Sequence, residues 1–523
     1  MNDSLQRIAA IVRADFLLRF RRPSTLIVFL LLSAFAYLWI PAPSTGRALI
    51  QINGHRAIYN SGAIGMGTAS LGMMFVGLFG YYVISNAIRR DIVSRCGVIA
   101  ASTPMRSGEY LLGKFLGNLT FLATFLAGFM LSSMAMLIVR GEAPIEPIVF
   151  VQQYLLLTPA AIIFVSAVAV LFESIPFLAG KIGDVLYFFF WMTFLGLAVG
   201  DQVSGGKMNW ARCLDFSGFG FMIDQMTRTL HTDSVSIGAS EFDPTKTPIL
   251  FPGLTLQPEW IFPRIISMLL PLLFLPLAGL FFHRFDPVRT GRTSDKTNRK
   301  WIGKIQSLFK PLSRRAVMML MPLARGQSFL AAIWADAVLT LTLYPLVMVA
   351  FVGITIATIS GAPQDGLLPI VFAGLAIVVS DVSTRDRRAG TIAILHGAPR
   401  LREYFVWWKL GSALVLSIIL CLAPILRSAL DGLFATAALL VGIVFVSALG
   451  TALGVMTTNA KTFIVVFLSF WYVVVNDHGA TPTLDFAGFY DRGTSQTTFL
   501  YASLSIAALT AAQLFHRWKL ARA

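Results

Sequence analysis

Apolar residues fall into twelve long runs separated by short polar stretches: 25–41, 62–88, 110–139, 149–172, 177–200, 261–282, 338–359, 367–381, 405–426, 432–455, 460–476 and 498–516. Runs of about 20 apolar residues predict helices that cross a bilayer. The predicted fold is therefore all-α, a polytopic helical membrane protein of about twelve spans. Residues 1–24 have a different pattern. Leu5, Ile8, Val12, Phe16 and Phe20 recur at helical spacing among Arg7, Arg13, Arg19, Arg21 and Arg22, and Pro23 ends the stretch. That pattern predicts an amphipathic helix lying on an anionic leaflet. A second stripe, Trp301, Ile302, Ile305, Leu308, Phe309 and Leu312, predicts a similar helix within the basic linker 285–337.

The polar stretches repeat. The loop from Arg89 to Lys114 recurs from Arg385 to Lys409, and at constant offset Arg90, Asp91, Ile99, Pro104 and Lys114 match Arg385, Asp386, Ile394, Pro399 and Lys409. Other matches follow the same order. Ala14-Asp15 before Pro23 mirrors Ala335-Asp336 before Pro345, the weakest of the set. Lys181 precedes Trp191 as Lys461 precedes Trp471, LDFSGF (214–219) mirrors LDFAGF (484–489), and Phe282-His283-Arg284 mirrors Phe515-His516-Arg517. An even number of spans per half makes the copies two parallel six-span repeats. The predicted organisation is an N-terminal helix (1–24), a first half (25–284), a linker (285–337) and a second half (338–523). Much of the first half's extra length lies in 42–61 and 220–260. The outer segment 201–260 reads either as a cap or docking place for an extracytoplasmic partner, or as a tolerated insertion.

Composition agrees: 56% of residues are hydrophobic and 13% charged, half the roughly 25% charge of soluble domains. The net charge of +16 could suggest nucleic acid. Most Lys and Arg instead fall in alternate loops on one side, which places both termini in the cytoplasm of a cell-membrane protein and leaves no separate basic domain for nucleic acid. Cys96, Cys213 and Cys421 are too scattered for a disulfide framework or a metal site.

Catalytic motifs such as HExxH and GxSxG are missing from the sequence. Gly108 to Lys114 fits GxxxxGK, but Phe115 stands where a phosphate loop needs Ser or Thr for magnesium, and the context is a membrane helix. Charges near spans are functional candidates: Glu173 in the turn before the fifth span, Lys181 and Asp184 within it, and Lys461 in the repeat. Lys181 and Asp184, three apart, predict a pair on one helix face. The Phe188–Trp191 and Phe470–Trp471 clusters read as interfacial anchors. Asp215 and Asp485, with Gly218 and Gly488, read as compact turns.

The loops resemble those of permease subunits of the ABC type-2 exporter family. The resemblance rests on the amphipathic helix before the first span, on Arg90-Asp91, Thr103-Pro104, Arg106 and Gly113-Lys114, and on Lys181. In the second half it rests on Arg385-Asp386, Gly390-Thr391, Ala398-Pro399, Lys409 and Lys461. Arg95-Cys96 replaces the family's Gly-Thr in the first half, and Ala398 its Thr in the second. The resemblance implies two permease halves in one chain, no enzymatic activity or cofactor on this chain, and separate cytoplasmic ATPase subunits carrying ATP and magnesium.

The physical argument agrees with that implication. A stiff helix across the ends of two spans can transmit force. Residues 91–102 and 386–397 are predicted to form one helix each, ended near Pro104 and Pro399. Ile92, Val98 and Ile99, or Ile392 and Ile394, would enter a groove on the ATPase, and Arg95, Arg387 and Arg388 would meet acids at its rim. The competing reading is a secondary transporter of the major-facilitator type, which also has 6+6 spans and a loop like Asp386-Arg387-Arg388-Ala389-Gly390. Against it stand the amphipathic helices, the loop prolines and the lack of mid-span acids. A membrane enzyme lacks catalytic groups, and a non-transporting scaffold driven by an ATPase is the remaining class.

Overall fold

A computed structural model describes residues 3–21, 23–203, 209–230, 235–282, 314–315, 317–326, 328–343 and 346–522. It is a polytopic, predominantly helical protein. Among the described residues, eight helices are long and apolar enough to cross a membrane, and two bent pairs bring the number to ten. The remaining two predicted spans are shorter helices, Pro23–Trp39 and Gln364–Val379. The chain divides into two compact units, residues 1–294 and 295–523, so the boundary falls inside the basic linker. The helical stripe predicted at Trp301–Leu312 lies outside the described residues.

In the first unit the lead helix Asp3–Phe20 precedes Pro23–Trp39. The second predicted span is a helical run, Ser61–Ile92, interrupted at Val76–Gly80 by a π-turn. There Tyr187 Oη donates to Gly77 O at 2.5 Å. A Cβ on Gly77 would lie 2.0 Å from Trp191, so glycine lets the indole reach this backbone. Phe188 and Trp191 are each 1% exposed and Trp471 is 8% exposed. These three aromatics pack inside their halves and are not the interfacial anchors expected.

The first half's extra length is not helical throughout. Strands β1 (Arg47–Ile52), β2 (His55–Arg56) and β3 (Val235–Glu241) form a sheet in the order β2-β1-β3. Both neighbours of β1 are antiparallel, with Ile52 opposite His55 and Val235. Asn53 and Gly54, both at positive φ, make the tight hairpin between β1 and β2. The sheet thus joins the two inserted segments at the far end of the bundle, away from the basic loops.

In the second unit the span predicted at 338–359 is two helices, Phe329–Thr342 and Val347–Ile359, inclined at 91°. The first carries Asp336 and is the counterpart of Asp3–Phe20. The predicted boundary at residue 337 therefore cuts through a helix. The sequence between the two helices holds Pro345, and proline disfavours helix at the residue before it. Helices Phe405–Leu420 and Leu422–Asp431 likewise bend by 69°.

Candidate functional site

The repeated loops are anchored in each half by the same set of two aspartates, an arginine and a lysine. In the first, Asp15 on the lead helix is 3% exposed. Its carboxylate meets Arg90 at 2.6 Å and Lys114 at 3.0 Å. Lys114 also meets Asp91 at 2.6 Å, to which Tyr110 Oη donates at 2.8 Å. In the second half Asp336 pairs with Arg385 and, at 2.9 Å, with Lys409. Lys409 reaches Asp386 at 2.5 Å. Each cluster ties a lead helix, a loop and the following span (Ser107–Arg140 or Phe405–Leu420) together. Such buried charges persist only because they are paired.

Sequence reasoning missed Asp15 and Asp336 as site residues. Their signal was the Ala-Asp pair matched between the halves. It was outweighed because Asp15 sits among five arginines on a helix read as lying on the membrane surface. In the structure the helix turns Asp15 and Arg19 inward and leaves Leu5, Leu18 and Phe20 exposed.

The clusters differ at one position. Arg19, four residues after Asp15, lies 3.8 Å from its carboxylate and donates to Ile84 O. The residue four after Asp336 is Thr340, whose hydroxyl accepts from Arg385 at 2.8 Å. The first cluster thus joins three cations to two acids, and the second two to two.

The loops are not single helices. The first is Ala87–Val93 followed by Cys96–Ser102, and the second is Arg385–Arg388, Ile392–His396 and Pro399–Glu403. The corners fall at matched residues, Arg95 (φ +59°) and Gly390 (φ +73°), both left-handed. One straight helix over 91–102 or 386–397 is therefore excluded. Helix Ile392–His396 ends just before Pro399, and Pro399 itself opens the next helix, as its fixed φ suits the first helical position. Pro104 lies exposed in the extended link before Ser107, and Arg106 is the N-cap of the helix that follows.

The predicted docking residues separate accordingly. Arg95, Arg106 and Arg388 are exposed, as are Ile92, Val98, Ile99 and Ile394. Arg388 pairs with Asp381 at 3.0 Å. Arg387 is half-buried, and loss of solvent lowers its pKa. Ile392 turns inward against the core around Phe405 and Trp408, so it cannot enter a groove on a partner. Lys114 and Lys409, at 2% and 0% exposure, do not reach the surface; any effect on a docking partner passes through the loop they hold.

Glu173 lies not in a turn but in the last turn of helix Pro147–Ser174. Its carboxylate accepts from Ala87 N at 3.1 Å and Ile88 N at 2.6 Å, capping the first loop helix. Lys181 opens helix Lys181–Val203 and is half-buried, whereas Asp184 is buried and its carbonyl accepts from Tyr82 Oη. Lys461 is half-buried at the start of Ala460–Asp477. The paired turns are alike: Asp215 accepts from Gly218 N and Phe221 N, and Asp485 from Phe489 N and Arg492 N.

No family model matches the chain, and no curated protein or solved structure is detectably similar to it.

Proposed function

We propose that the chain is the permease subunit of an ATP-driven exporter of the ABC type-2 kind in a cytoplasmic membrane, both termini inside. Two separate cytoplasmic ATPase subunits, holding ATP and magnesium, dock one on each basic loop. The observation that carries this reading is the pairing of exposed apolar corners with buried anchors. Val98, Ile99 and Ile394 are 51%, 68% and 78% exposed, while the same loops are fixed by ion clusters to a lead helix and a span. A push on such a corner moves those elements together, as ATP-driven domain movement requires. The cargo is an unidentified amphiphile.

The test is co-purification with a candidate nucleotide-binding chain from the same source, together with that chain's ATPase rate. Val98→Asp with Ile99→Asp, and separately Ile394→Asp, should each abolish association and stimulation while the chain keeps its melting temperature. Association that survives all three substitutions overturns the docking assignment. Substrate movement driven by a proton gradient without any ATPase selects the facilitator reading instead.

A further inference from the structure

The far ends of the two halves differ. In the first half, segment Phe251–Leu254 closes over the helix ends: Asn60 Nδ2 donates to Phe251 O at 2.8 Å, and Leu254 N donates to Gln153 Oε1 at 2.7 Å. The second half lacks the insertion and carries an open cavity of about 390 Å³, lined by Asp365, Pro369, Ile370, Trp471, His478 and Tyr490 among others.

Its walls are held in place. Trp471 Nε1 donates to Pro369 O at 2.8 Å, fixing the indole. Tyr490 Oη donates to Val475 O at 3.1 Å, fixing the phenol ring. His478 takes a left-handed conformation (φ +47°) that ends helix Ala460–Asp477, and its ring lies 5.9 Å from that of Tyr490. Asp365 is exposed at the start of Gln364–Val379; one of its oxygens accepts from Gly366 N at 2.9 Å. Among the described residues it has no cationic partner. Burial, and then Asp485, Asp365 and Asp477, push the Tyr490 phenol above its ordinary pKa.

We propose that this cavity binds an organic cation: an alkylated ammonium held by Asp365 and the aromatic faces, with its apolar substituent against Ile370 and Pro369. Ring faces attract a weakly hydrated cation and a carboxylate adds charge. Asp365 is one carboxylate among aromatic and aliphatic walls, too few oxygen ligands for a hard metal ion that takes about six or more, and the nearby carboxylates repel anions. The inference does not depend on the permease reading.

The ammonium could belong to a free amine or to a choline-type lipid headgroup, so the test has two arms. The purified full-length chain in neutral maltoside detergent is titrated with tetraethylammonium and, separately, with dioctanoyl phosphatidylcholine, read by tryptophan fluorescence and calorimetry. Binding in either arm should weaken about tenfold in Asp365→Asn and in Tyr490→Leu, and should be unchanged in Glu403→Gln. Tetraethylammonium binding identifies a free-amine site, and binding of the lipid alone a headgroup site. No saturable binding in either arm, or binding indifferent to both cavity variants, overturns the proposal.

Discussion

The two halves solve one packing problem in opposite ways. In the first, Ile11 of the lead helix presses on Gly113 of the span, where a Cβ would come within 2.9 Å of the isoleucine. At the matched positions of the second half stand Ala332 and Trp408, and the indole Nε1 donates to Ala332 O at 3.0 Å. The bulk has changed sides while the lead helix stays docked. The polar partners change too. Tyr110 Oη supports Asp91 in the first cluster, but Phe405 has no hydroxyl, and Lys409 instead lies 3.9 Å from the Trp408 ring centroid. At the first lead helix, Glu109 also accepts from Arg7 at 3.0 Å and Ser4 at 2.7 Å. The second has a Phe329–Tyr404 ring contact there. Four charged side chains are kept, and their surroundings are rebuilt around them.

Breaking the clusters should give the largest effects. Asp15→Ala leaves buried Arg19 and Lys114 and half-buried Arg90 with one acid, and Asp336→Ala leaves two buried cations with one. Both should lose about 3–5 kcal/mol, Asp15→Ala more, read as unfolding in detergent. Equal losses would mean that Arg19 takes no part in the first cluster. Next in size is the exchange of bulk. Gly113→Trp should lose about 1–3 kcal/mol by overpacking, and Ile11→Ala added to it should restore part of the loss. If the double variant is no better than the single, the two halves are not packed as mirror solutions.

Smaller effects are expected at the loop corners. Arg95→Gly relieves a left-handed arginine and should gain about 0.5–1 kcal/mol, while Gly390→Arg should lose about 1 kcal/mol. The smallest effect belongs to the cap found only on the first half. Arg56 forks onto Glu142 at 2.6 and 2.8 Å, and this hydrogen bond holds the Glu142 carboxyl below its ordinary pKa of 4.5. A depressed carboxylate contributes stability above its unfolded pKa and loses it as pH falls through the lower folded value. The pair is partly exposed, so the change below pH 4.5 should stay under about 1 kcal/mol. Arg56→Ala should remove it from an acid melting series.

The helical, membrane-spanning character was legible because long apolar runs admit few other folds. The duplication was legible because loops keep their punctuation: Gly390, Pro104 and Pro399 mark real corners or links. The clusters were only half legible. Arg90, Asp91 and Lys114 announce themselves by spacing, but the partner shared by Arg90 and Lys114 lies 75 residues from Arg90. Nothing local marks Asp15 as turned inward. The lead helix of the second half was hidden for another reason: Phe329–Leu343 carries one charge in fifteen residues, so nothing marks it off, and its residues fall partly in the predicted linker (to 337) and partly in the predicted span from 338. The sheet had a local signal, Asn53-Gly54, inside a stretch read only as extra length.

The exchange of bulk between Ile11–Gly113 and Ala332–Trp408 has a consequence for biosynthesis. The chain contains two lead helices and two spans to receive them, with matching charges that would accept either. Shape separates them. The N-terminal lead helix on the second span would drive isoleucine into tryptophan, and the later one on the first span would leave alanine facing glycine across a gap. Overfilling and cavities each cost about 1–3 kcal/mol or more, so crossed docking is disfavoured twice over. Duplicated proteins risk pairing the wrong copies while they fold; here the two copies have diverged into a lock and key that sorts them.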